Sequence, residues 1–77
     1  MELQKFTQHF AEQFENTDLS EFSGKTIFRD IEEWDSFIAL SVIAMVDEEY
    51  HVKICGEDIR SSTTIEDIFS KVQSKLN

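Results

Sequence analysis

The chain has 77 residues, 40% of them hydrophobic and seven of them phenylalanine, which excludes both a disordered segment and a two-domain protein. Sixteen acidic against seven basic side chains give a net charge of −9, a surface that repels nucleic-acid phosphates and anionic lipid and suits partners with basic patches. Proline is absent, glycine occurs only at Gly24 and Gly56, and no apolar run reaches membrane-spanning length, so one small all-α domain over residues 1–77 is expected.

In chain order, residues 3–15 place Leu3, Phe6, Phe10, Ala11 and Phe14 on one face of an amphipathic helix, and the pattern fades at Asn16-Thr17-Asp18. Leu19 and Phe22 suit a short helical turn, capped near Thr17 and broken at Ser23-Gly24. From there to Trp34 the chain reads as a long loop pinned to the core by Phe28 and Ile31, with another short turn around residues 29–32. Loops of this length in small domains are often functional.

Asp35 is a good N-cap for a second helix, Ser36 to Tyr50. On a helical wheel Ala39, Val42, Ile43, Val46 and Tyr50 share one side, and Phe37, Leu40, Ser41, Ala44, Asp47 and Glu48 share the other. Both sides are apolar where the helix starts, so either other elements wrap it or one side is offered to a partner. Val52 and Ile54 carry the apolar pattern through a connection, and residues 56–60 suit a short helix whose entry turn uses Gly56. Thr63 and Thr64 are both cap candidates for a last helix, with Glu66 and Asp67 three residues after each as capping-box partners. Its apolar stripe is Ile65, Ile68, Phe69, Val72 and Leu76. The sum is a small four-helix bundle: three main helices, one short helix and a long first loop.

The charge is unevenly placed. Between Asp30 and Asp67 stand eleven acids and two bases, Lys53 and Arg60, so this segment carries the whole net charge. Cys55 is the only cysteine, which rules out an internal disulfide, and beside Ile54 it reads as a small buried hydrophobe. His9 and His51 are too far apart and too poorly accompanied to argue a metal site. The first ten residues lack the basic start and apolar run of a secretory signal, and a cytoplasmic protein is the expectation.

Trp34-Asp35-Ser36-Phe37 sits where the loop becomes the second helix. A serine there presents its hydroxyl beside free backbone N–H groups, and a phosphate ester formed on it would benefit from the positive helix end. It also serves as an ordinary helix-start residue, and the local sequence favours that plainer role. Neither histidine is spaced as a base for Ser36, so a hydrolase built on Ser36 lacks an evident base or oxyanion site. A serine modified by another enzyme needs none.

The longer pattern adds to this. Asp35-Ser36-Phe37, followed by an apolar helix ending Asp47-Glu48-Glu49-Tyr50 and then by His51-Val52-Lys53-Ile54, resembles the acyl carrier protein family, in which Asp-Ser-Leu opens the second helix. Phe28 and Ile31 look like that family's loop anchors, and Thr63-Thr64-Ile65-Glu66-Asp67-Ile68 looks like its entry to the last helix, so the resemblance covers nearly the whole chain. It implies a monomeric, non-enzymatic bundle of acyl-carrier type. A separate pantetheinyl transferase would take 4'-phosphopantetheine from coenzyme A and esterify it to Ser36, beside Asp35. The arm's thiol would hold acyl intermediates as thioesters and present them to ketosynthase, acyltransferase or acyl-ligase enzymes with basic or apolar docking patches. The resemblance further implies docking through Phe37, Leu40, Ser41, Ala44, Asp47 and Glu48. It implies an acyl pocket lined by Val46, Ile54, Ile59, Ile65 and Ile68, residues that also read as ordinary core. An aminoacyl or peptidyl carrier, and an unmodified interaction domain of the same fold, are the alternatives.

The chain departs from the family pattern around the motif. Phe37 stands for leucine, Ile38 and Ser41 stand for acids, and Glu33-Trp34 stand for a small Gly-Ala pair. Docking would then rest more on Phe37, Leu40 and Ala44 and less on charge. That favours a dedicated carrier in a specialised lipid, polysaccharide or secondary-metabolite pathway.

Overall fold

The helical periodicities become four α-helices in the computed structural model, which describes residues 3–76. They are α1 (Leu3–Ala11), α2 (Ser36–Tyr50), α3 (Gly56–Arg60) and α4 (Ile65–Leu76), a small all-α bundle with a long loop after α1. α1 stops short of residue 15. Beyond Ala11 the chain tightens, with the N–H of Gln13 donating to Phe10 O and that of Phe14 to Ala11 O, and these turns still bury Phe14.

Phe6, Phe10, Phe28, Val42, Val46, Ile65, Ile68 and Val72 lie at the centre without solvent contact. Phe10 is the hub of an aromatic cluster, with Phe14, Phe22, Phe28 and Trp34 at centroid separations from 5.8 to 6.4 Å. Trp34 is half-buried; its ring lies parallel to Phe10 and 4.8 Å from Phe28. It is therefore a packed piece of the core edge.

The first loop is neither structureless nor loose. It contains two 3-10 turns, Leu19–Glu21 and Phe28–Asp30, the second starting one residue earlier than the expected span. The cap of the first turn is Asp18, not Thr17: its carboxylate accepts the Ser20 N–H at 3.0 Å. Thr17 is committed elsewhere, its hydroxyl donating to Glu33 at 2.9 Å. The same Glu33 carboxylate accepts the N–H groups of Glu15 at 2.7 Å and Asn16 at 3.0 Å, closing the turn that follows α1. At the loop's far side, Thr26 O accepts the Ile65 N–H at 3.2 Å and Gly24 O accepts the Glu66 N–H at 2.9 Å, beside an antiparallel bridge between Ile27 and Thr64. Loop carbonyls thus satisfy first-turn donors of α4 that have no partner within the helix.

Of the two capping candidates for α4, Thr64 with Asp67 forms the box. Thr64 Oγ1 accepts the Asp67 N–H at 3.2 Å, and Asp67 Oδ2 accepts those of Thr63 and Thr64 at 2.9 and 3.0 Å. The stripe of α4 is buried through Val72, but Leu76 is exposed. Cys55 is also exposed, against expectation: the chain alternates through the connection, turning Val52 and Ile54 inward and Lys53 and Cys55 outward. Gly56 has no positive φ, so the entry to α3 makes no demand for glycine. Among the described residues no helix is long and apolar enough to cross a membrane.

Candidate functional site

α2 begins where Asp35, in extended conformation, turns its carboxylate back over the helix end. Asp35 Oδ1 accepts the Ile38 N–H at 2.8 Å, and the Asp35 carbonyl accepts the Ala39 N–H at 3.1 Å. Ser36 is the first helical residue and is exposed. Its own N–H and that of Phe37 face the open end of the helix, as first-turn donors do. Among the described residues no hydrogen bond engages the Ser36 hydroxyl, and His9 packs edge-on against Tyr50 instead, 5.9 Å between rings. α2 ends at Tyr50; His51 takes the left-handed conformation (φ 57) and its N–H donates to Asp47 O at 3.0 Å.

The ambiguity of a helix apolar on two sides is resolved. Ile38, Val42, Met45 and Val46 are buried, and Ala39, Ile43 and Tyr50 are half-buried. The other side is uncovered: Phe37 is 72% and Leu40 65% exposed, and Ala44, Asp47 and Glu48 are exposed with them. Ser36, Phe37, Leu40, Ala44, Asp47 and Glu48 therefore form one continuous surface strip by helical spacing. Ser41 lies half-buried at its margin. Ile38 does not belong to this strip. It points into the core, and of Ile38 and Ser41 only Ser41 touches the face. Glu33 and Trp34, just before the motif, have structural roles: Glu33 closes the turn after α1 and Trp34 stacks on Phe10.

Val46, Ile54, Ile59, Ile65 and Ile68 are all buried and belong to one continuous core cluster. Two surface hollows among the described residues lie elsewhere. One, about 910 Å³, is bounded by the turn after α1 and residues 25–33, and the other, about 440 Å³, lies between α1 and residues 19–24. Neither is lined by Ser36 or by the five core side chains. A chain lodged among those five would require the core to part.

Four carboxyl groups around this framework titrate below their ordinary range. Glu33 is lowered chiefly by the Glu15 amide, Asp18 by that of Ser20, Asp58 by that of Cys55 and Asp67 by that of Thr64. Burial, with the Glu49 charge, pushes the Tyr50 hydroxyl up. That hydroxyl is enclosed without a hydrogen-bond partner among the described residues. The residues that sequence reasoning missed are Arg29 and Lys71, which hold the carbonyl end of α3. The one available signal was that Arg29 is the sole base between Lys25 and Lys53. Comparison of the chain with protein-family models, curated proteins and solved structures finds no match.

Proposed function

We propose that the chain is a carrier of acyl-carrier type, with phosphopantetheine esterified to Ser36 by a separate transferase. The observation that supports this most is the position of Ser36: exposed, first in α2, at one end of an uncovered strip that a partner can read. In the loading step Ser36 Oγ forms a bond to the phosphorus that carries pantetheine, the diphosphate bond of coenzyme A breaks, and adenosine bisphosphate leaves. The serine proton passes to a base supplied by the transferase, so the chain needs none of its own. The arm's thiol then carries acyl groups, and the chain itself catalyses nothing. Partners dock on Phe37 and Leu40 through an apolar pocket, with basic groups set against Asp35, Asp47 and Glu48. The exposed Phe37–Leu40 pair equally suits a second reading, an interaction domain with no prosthetic group.

Intact mass after incubation with coenzyme A and a broad-specificity pantetheinyl transferase separates the two. The carrier reading expects a gain of one phosphopantetheine on the native chain and none on Ser36→Ala. No gain on the native chain, or an equal gain on Ser36→Ala, overturns it.

A further inference from the structure

The three residues before Ser36 are fastened to three different places. The Glu33 carboxylate accepts the N–H groups of Glu15 and Asn16, one on each oxygen, at 2.7 and 3.0 Å, and the Thr17 hydroxyl at 2.9 Å. These partners lie in the turn that follows α1, 16 to 18 positions back along the chain. The Trp34 ring lies parallel to that of Phe10 in α1, with an interplanar angle of 3°, and 4.8 Å from Phe28. Its backbone N–H donates to Ile31 O at 3.0 Å. Asp35 then caps α2 through the Ile38 N–H. Ser36 follows at once, exposed, with its hydroxyl free of hydrogen bonds among the described residues.

A helix start left to itself frays, because its first N–H groups have no partner within the helix. A slack loop in front of it adds to that motion. Here the backbone leading into residue 36 is held from behind, while the hydroxyl stays free. An acceptor hydroxyl for group transfer reacts best from such a fixed place. Glu33 suits the task better than a neutral side chain, because its charge strengthens the bonds it accepts. Both fastenings lead to the same element: residues 15–17 leave α1, and Phe10 belongs to it. We infer that Glu33 and Trp34 are positioning residues for Ser36, clamping the start of α2 to the C-terminal end of α1 and so fixing where the hydroxyl stands. That this fixed place serves loading rests on the carrier reading, whereas the clamp itself does not.

NMR relaxation of the backbone N–H groups tests the clamp on the full, unmodified chain. In the native protein the order parameters of Asp35, Ser36 and Phe37 are expected at about 0.85, and in Glu33→Ala and Trp34→Leu at about 0.6 or below, with Val42 and Val72 unchanged. Glu33→Gln, which keeps an acceptor oxygen, should fall between, and it gives the same comparison if Glu33→Ala does not fold. Asp67→Ala, which breaks the distant capping box of α4, is the control for a general loss of stability and should leave the three values as they are. Unchanged order at Ser36 in the Glu33 and Trp34 variants, or an equal loss in Asp67→Ala, overturns the clamp. Loading by a broad-specificity pantetheinyl transferase then reads the positioning role. In Glu33→Ala kcat should fall by about tenfold while KM for the chain stays within about twofold, with Asp67→Ala like the native chain. Native kcat in a Glu33→Ala chain whose Ser36 has loosened overturns that role. A native chain that is never loaded overturns the carrier reading, and the order parameters still decide the clamp.

Discussion

Phe37 and Ile38 are chain neighbours with opposite environments, one facing solvent and the other in the core. Replacing Phe37 by alanine removes a ring that touches mainly water, so the urea-unfolding free energy should stay within about 0.5 kcal/mol of the native value. On the proposed carrier function, transfer from the loaded chain to a partner enzyme should fall by about tenfold or more, as for an apolar anchor at an interface. A stability loss of several kcal/mol would place Phe37 in the core and overturn the docking role proposed for it. Which of two adjacent apolar residues turns inward at a helix start is not legible from period alone, because the helix is apolar on both sides there. Cys55 was legible and was misread: Val52 and Ile54 are the inward pair of an alternating stretch, which puts residues 53 and 55 outward.

At the scale of elements, the four helices followed from periodicity and caps, and α3 falls on the span its composition indicated. The fastenings of the loop did not follow. Carbonyls of Gly24 and Thr26 and the amides that Glu33 accepts belong to the backbone, which has no sequence signature. The start of α2 offers a sharp check of its cap. Asp35→Ala frees the Ile38 N–H and should cost about 1 kcal/mol in urea unfolding, and Asp35→Asn, which keeps an acceptor, should cost less. An equal loss in the two variants would mean that the hydrogen bond is not what Asp35 contributes.

For the whole molecule, Asp18, Glu33, Asp58 and Asp67 each accept a backbone N–H and titrate below their unfolded values. A folded pKa below the unfolded one gives stability that is present above the unfolded pKa and is lost as pH falls through the folded pKa. Protonation also relieves the repulsion of a chain with net charge −9, which acts in the opposite direction. Comparison with Glu33→Gln isolates the first effect. The native chain should be the more stable near neutral pH, and its advantage should shrink as pH drops below about 4 to 5. An advantage that does not change with pH would mean that the Glu33 charge adds nothing to its three hydrogen bonds.

The fastening of the first loop also bears on how the chain reaches this fold. Arg29 and Ser62 are 33 positions apart, and Gly24 and Glu66 are further still. A bundle closed only by neighbouring helices assembles through contacts of short sequence separation and folds quickly. Here the loop-closure entropy must be met before the loop's bonds to α3 and α4 can form. The loop's bonds to α3 and α4 add to the packing of α1 on α4, and both raise the sequence separation that folding must close.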